Sequence, residues 1–239
     1  MNERSRLKLL TLQVHFAAAF AVILIFSAGS LAQSANDEIF NRAIDKQKAG
    51  DLNGALAEYT KLIGIDPNDY DAYNNRGLVR KRLNDEPGAI EDFSRAIRIA
   101  PDRAEAYLNR GISHFRMGNI DQARSDYGRA IAVEPQNPSA YYNRATLHFA
   151  QRDFRAAIAD LDRVIELRPR HFRAFANRGK SRFELGDLKA AIADVSKAIE
   201  ISGGTAELYL ERAKYYRAAK NQTLAAADEK MAAGLINEK

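Results

Sequence analysis

A 34-residue period constrains this chain more than any other feature. Pro67, Pro101, Pro135 and Pro169 stand 34 residues apart. Tyr73, Tyr107, Tyr141, Phe175 and Tyr209 keep that interval, as do Gly77, Gly111, Ala145, Gly179 and Ala213. A further ladder is Ala55, Ala89, Ala123, Ala157, Ala191 and Ala225. Ladders of different residue types sharing one period mean that a single supersecondary unit recurs. In this register the units run 36–69, 70–103, 104–137, 138–171, 172–205 and 206–239, with no insertion between them. That leaves no room for a separate catalytic domain.

Residues 70–103 show the physics of one unit. Tyr73, Gly77, Leu78 and Leu83 mark an apolar face on a first helix. Asn84-Asp85-Glu86-Pro87 then breaks the pattern, with proline tolerated in the first turn of the next helix. Ala89, Ile90, Phe93, Ala96 and Ile97 form one stripe of a second helix, which Pro101 ends. The small residue at the Gly77 position lets the two backbones approach, and the side chain at the Phe93 position fills the space beside it. A lone hairpin leaves apolar surface uncovered, so the units must stack on their neighbours. Alternating strand patterns are missing, and the class is all-α.

Over residues 36–239 these motifs resemble the tetratricopeptide repeat family: the early aromatic of helix A, the small residue four positions on, the alanine and aromatic of helix B, and the closing proline. The resemblance implies a right-handed α-solenoid of six 34-residue helix-turn-helix repeats after an N-terminal signal segment. It also implies a non-enzymatic scaffold that holds a protein or peptide in a concave groove, without cofactor or metal. The family's usual tryptophan is Tyr or Phe here, or Ile39 in the first unit, and Arg76 and its equivalents replace a common leucine. The last unit reads as a cap, with Ala226 and Ala233 in place of the Ile90 and Ile97 pair and Glu229 at the aromatic position.

Residues 1–32 differ in kind. Arg4, Arg6 and Lys8 precede a mostly apolar run from Leu9 to Phe26, and Ser30 and Ala32 give the small-x-small arrangement of a signal peptidase site. This reads as a cleaved export signal, which places the protein in the periplasm. The rival reading is an uncleaved membrane anchor, because the run approaches the ~20 residues that span a bilayer. Removing 1–32 leaves 33 basic against 30 acidic groups, mixed along the chain. Such mixing argues against nucleic acid as a partner. The absence of cysteine excludes disulfides and thiolate chemistry.

Each helix A carries an arginine (Arg42, Arg76, Arg110, Arg144, Arg178, Arg212), and 16 positions later each helix B carries an acid (Glu58, Asp92, Asp126, Asp160, Asp194, Asp228). A recurrence in every unit indicates a structural ion-pair ladder. His114 and His148 lack a third ligand at fixed spacing, so no metal site is expected. No catalytic motif is present.

The family geometry implies a groove built by helix A residues. The candidates are Asn75, Leu78, Arg82, Leu108, Asn109, Ile112, Phe115, Arg116, Tyr142, Asn143, Phe149, Asn177, Lys180 and Phe183. The asparagines have two open roles, binding a peptide backbone or satisfying their own helix. An aromatic at the Phe115 position also has two readings, groove floor or helix packing. Charged companions Lys48, Lys81, Lys214 and Arg217 outnumber Glu184. Apolar floor and positive walls suit a protein segment bearing acidic and apolar residues. The Lys-and-Asn clamp by which one subclass holds a terminal carboxylate is not supplied by Phe40 and Ile44, or by Asn74 and Leu78.

Overall fold

The computed structural model describes residues 35–237, and all their regular structure is helical. The export signal or anchor expected at 1–32 lies outside these residues. The helices are α1 (35–48), α2 (Leu52–Ile65), α3 (Tyr70–Arg82), α4 (Glu86–Ile99), α5 (Ala104–Arg116), α6 (Ile120–Val133), α7 (Pro138–Ala150), α8 (Phe154–Leu167), α9 (Phe172–Glu184), α10 (Leu188–Ser202), α11 (Ala206–Ala218) and α12 (Gln222–Asn237). From α3 onward, odd-numbered helices are helix A of a repeat and begin one period apart, at residues 70, 104, 138, 172 and 206.

Local chemistry sets the helix ends. Asp51, Asp153 and Asp187 accept from the backbone N–H three residues on and cap α2, α8 and α10. Each A-to-B turn passes through a left-handed residue at one ladder position: Gly50, Asn84, Gly118, Arg152, Gly186 and Lys220. Arg152 and Lys220 hold φ near 60° although a Cβ disfavours it.

The described residues form two compact units that part between Asp85 and Glu86. The first contains α1–α3, with Ala43, Ala55, Tyr59, Leu62, Ala72 and Val79 as its core. In the second, each helix from α4 to α12 packs on the next, and α7 also approaches α5 and α9. No comparable approach joins successive even-numbered helices. Among α5, α7 and α9, the A helices of this unit therefore lie closer together than the neighbouring B helices.

The small-residue ladder acts as a spacer. A Cβ on Gly111 would sit 2.7 Å from the Tyr127 ring, and one on Gly179 would sit 3.0 Å from Val195. Ala145 takes this position in the fourth repeat, buried together with Leu161 of helix B.

Arg110, Arg144, Arg178 and Arg212 each donate through Nε and Nη2 to both oxygens of Asp126, Asp160, Asp194 and Asp228, at 2.6–2.9 Å. The arginines also lie over the early aromatics, Arg178 on Phe175 and Arg212 on Tyr209. Surface pairs of this kind would be weak, but these acids are only 3–6% exposed. Losing one partner strands a buried charge, so the ladder fixes hairpin geometry.

Two further ladders escaped the sequence reading. The spare Nη1 reaches back to helix B of the preceding repeat: Arg76 to Thr60, Arg110 to Ser94, Arg178 to Asp162 and Arg212 to Ser196. Gly128 occupies the corresponding position before Arg144, and that bond is missing. The buried acids also meet a second basic group one turn along helix A: Lys46 to Glu58 at 3.0 Å, His148 to Asp160 at 3.9 Å and Arg182 to Asp194 at 2.8 Å. His148 thus has a carboxylate at a fixed interval, 3.9 Å from its Nε2. The Lys46 hydrogen bond, with help from Lys61, holds the Glu58 carboxyl down to about 2 against its own burial.

The terminal helix sheds apolar bulk on one face only. Ala226 and Ala233 are exposed where a following repeat would stack, yet Leu224, Met231 and Ile236 are exposed as well.

Candidate functional site

In the second unit a cavity of about 220 Å³ opens between α7 and α9, lined by Ala145, Thr146, Phe149, Leu161, Asn177, Lys180 and Ser181. Its origin is a small residue at one ladder position opposite an aromatic. Phe115 packs with Leu147 of the following helix A, and Phe183 stacks on Tyr215 at 4.5 Å. At the equivalent place opposite Phe149 stands Ser181, fully buried and too small to fill the space. Ser181 donates to the Asn177 carbonyl on its own helix, and Phe149 leans edge-on against Phe154. An apolar hollow with an amide and an ammonium at its rim can take one apolar side chain and bond the backbone beside it.

The hollow continues along the A helices. Phe149 and Lys180 also border a second space of about 210 Å³, with Phe183, Glu184, Glu211, Lys214 and Tyr215. Lys214 Nζ lies 4.4 Å above the Phe183 ring. Tyr142 accepts from Asn177 Nδ2 at 3.0 Å, and its ring lies tilted against His171, with centroids 5.2 Å apart. Burial lowers the proton affinity of His171, whose Nδ1 accepts from the Ala174 N–H as the cap of α9. Burial also lowers that of His114, against the pull of nearby Asp126.

The structure thus brings Phe149, Asn177, Lys180 and Phe183 together, with Tyr142 behind them. In the first unit, Asn75 and Arg82 border a separate space of about 300 Å³ with Ile44, Gln47 and Lys48, and Leu78 is half-buried. Leu108, Ile112 and Phe115 are packed between helices against Ala123, Tyr127 and Leu147. Asn75 and Asn143 donate to the carbonyls of Asp71 and Ser139, four residues back on their own helices. Asn109 is half-buried on α5. Several wall charges are engaged: Arg116 pairs with Glu86 at 2.7 Å, Arg82 donates to the Gln47 carbonyl, and Arg217 pairs with Glu229. Sequence reasoning missed Ser181 and Glu211. The ladder Val79, Ser113, Leu147, Ser181, Tyr215 carried the signal for the former.

Family profiles described as tetratricopeptide repeat or TPR repeat match residues 48–84, 82–118, 114–152 and 142–204. The chain belongs to the tetratricopeptide repeat family. Among solved TPR-like structures, PilW, a widely conserved type IV pilus biogenesis factor, aligns with TM-score 0.76 and 22% identity, covering 86% of this chain and 95% of its own. MamA aligns with TM-score 0.64 and 24% identity over 70% of this chain and 92% of MamA. YrrB, a TPR protein with an unusual peptide-binding site, aligns with TM-score 0.63 and 20% identity over 74% of this chain and 91% of YrrB. These likenesses establish the fold. No curated protein matches the chain. Proteins of the TPR fold typically serve as non-enzymatic interaction scaffolds. Among the described residues no three His, Asp or Glu side chains gather as a metal site, and no helix is long and apolar enough to cross a membrane.

Proposed function

We propose that this TPR protein is an exported, periplasmic scaffold that catalyses no reaction and binds an extended or helical protein segment along its A helices. The carrying observation is the Ser181 cavity with Phe149, Asn177 and Lys180 at its edge. It supplies an apolar hole and polar groups in one place, which a surface serving only for helix packing does not need. The ligand that fits presents an apolar side chain flanked by carboxylates, the latter drawn to Lys180. YrrB, with its peptide-binding site, and PilW, a pilus biogenesis factor, lend the reading support as proteins of the same fold. Export rests on the basic, apolar and small-residue succession of residues 1–32.

The test is affinity capture from an envelope fraction with the wild-type chain and with Ser181→Leu. Leucine fills the hole from beneath, as Leu147 does one repeat earlier. A partner retained by wild type and lost by the variant supports the reading, with equal helicity required of both. A partner held equally by both overturns the groove assignment.

The apolar run from Leu9 to Phe26 favours a second reading, a membrane-tethered envelope assembly protein with an uncleaved anchor. The mass of the protein recovered from cells separates them, by a start near Gln33 or an intact leader.

A further inference from the structure

Apart from Arg103, which sits at the N-cap position of α5 beside Asp102 and pairs with Glu105 at 3.9 Å, the B-to-A turns of the chain carry acids or neutral residues with one exception. Asp66, Asp69 and Asp71 surround the start of α3, Asp102 and Glu105 that of α5, Glu134 precedes α7, and Glu207 opens α11. Around the start of α9 the corresponding residues are Arg168-Pro169-Arg170-His171-Phe172-Arg173, the last two in its first turn. Arg168, Arg170 and Arg173 are exposed. Among the described residues they form no ion pair, and Arg173 merely lies over the ring of its neighbour Phe172. Arg168 and Arg173 both lie close enough to His171 to act on its ring electrostatically. Arginine at a helix start opposes the helix dipole, and the first turns of α5 and α11 follow the ordinary rule with Glu105 and Glu207. Neither folding nor packing calls for this concentration of positive charge.

The turn is also joined to the cavity. Arg173, Asn177 and Lys180 follow one another at four- and three-residue steps, so they share one face of α9. The Tyr142 ring on His171 and the Tyr142 hydroxyl on Asn177 bridge the turn to the cavity rim.

We infer that the α8–α9 turn is the docking point for a carboxylate-rich stretch of the bound protein segment, lying immediately next to the apolar residue that enters the Ser181 cavity. This inference rests on the proposed groove and adds its polarity: acidic residues at the amino-terminal end of α9, with the chain then running toward Glu184 and Glu211. Guanidinium groups bind carboxylates bidentately, and three on one short turn match a run of acidic side chains. A discrete acidic segment fits better than an anionic membrane. A lipid surface selects an extended basic face, and here the turns on either side carry Glu134 and Glu207.

The experiment selects peptides from a random twelve-residue display library on immobilised full-length chain. It is repeated on Arg168→Glu/Arg170→Glu/Arg173→Glu and, separately, on Ser181→Leu, with helicity checked in each. Wild type should enrich Asp or Glu beside an apolar residue. The triple variant should lose that enrichment, and the best wild-type peptide should bind it at least about ten-fold more weakly, with a flatter salt dependence. Carboxylate enrichment that persists in the triple variant overturns the inference, and if Ser181→Leu still abolishes binding, the groove reading stands without it. Peptides lost from the triple variant but kept by Ser181→Leu also overturn it, by separating the turn from the cavity. Sedimentation with phosphatidylglycerol vesicles supplies the other arm. Vesicle binding lost with the arginines, without acidic enrichment among peptides, assigns the turn to lipid and overturns the inference.

Discussion

Asp160 is 6% exposed and accepts two hydrogen bonds from Arg144. Asp160→Ala should destabilise the chain by about 2–4 kcal/mol, since the guanidinium left behind remains partly desolvated. Chemical denaturation of both single variants and the double variant should give a coupling of about 1–3 kcal/mol, and zero coupling would reduce the ladder to coincidence. The arginine–acid spacing was legible because an arginine and an acid recur in every unit. Burial of the acids was not, because it depends on neighbouring repeats covering them. The same limit applies to Phe115 and Phe149: identical ladder positions, one packed and one beside a hole, distinguished by the residue opposite. Acid should also weaken the fold. His114 and His171 release their protons more readily than an ordinary histidine at 6.5, chiefly because burial disfavours the charged ring. The unfolded chain therefore binds the extra protons, and stability is lost as pH falls below 6.5. His171→Asn keeps a capping side chain without a titrating ring, so its melting temperature should fall less than wild type's between about pH 7.5 and pH 5.5. Parallel curves would remove His171 from the account.

Two glycines on neighbouring helices should respond oppositely to a side chain. At Gly111 even a methyl group meets the Tyr127 ring at 2.7 Å, so Gly111→Ala should destabilise by about 1–3 kcal/mol despite alanine's better helix propensity. At Gly128 a Cβ meets nothing within 4 Å, and the Arg144 guanidinium lacks the partner that serine gives its equivalents. Gly128→Ser should stabilise by about 1 kcal/mol, from helix propensity and one added hydrogen bond. Thermal melts of the two variants give the signs directly, and a shared sign would show that the register of one ladder is misread. Helix positions were readable from periodicity and proline placement. The left-handed turn was less so: Gly50, Gly118 and Gly186 announce it, whereas Arg152 and Lys220 adopt it under constraint from the helices on either side.

For the molecule as a whole, the period dictated a fold in which each repeat is stabilised by its neighbours, and the family assignment followed from it. The binding face was only half legible. Fourteen candidate residues shared the right helix positions, yet the cavity depends on Ser181, whose significance emerges only beside Phe149 and Leu161. Ser181→Leu should therefore remove binding while leaving the melting temperature at or above wild type, since it fills space without displacing a neighbour. A variant that melts lower and still binds would place the partner elsewhere. The gap at Gly128 has a mechanical consequence. The bond from helix A to the preceding helix B acts as a rivet between successive hairpins, and it is present before α5, α9 and α11 but absent before α7. Stretched between the ends of its second unit, the protein should yield first at the α6–α7 joint, and a ligand seated between α7 and α9 would ride on the stiffer side of that hinge.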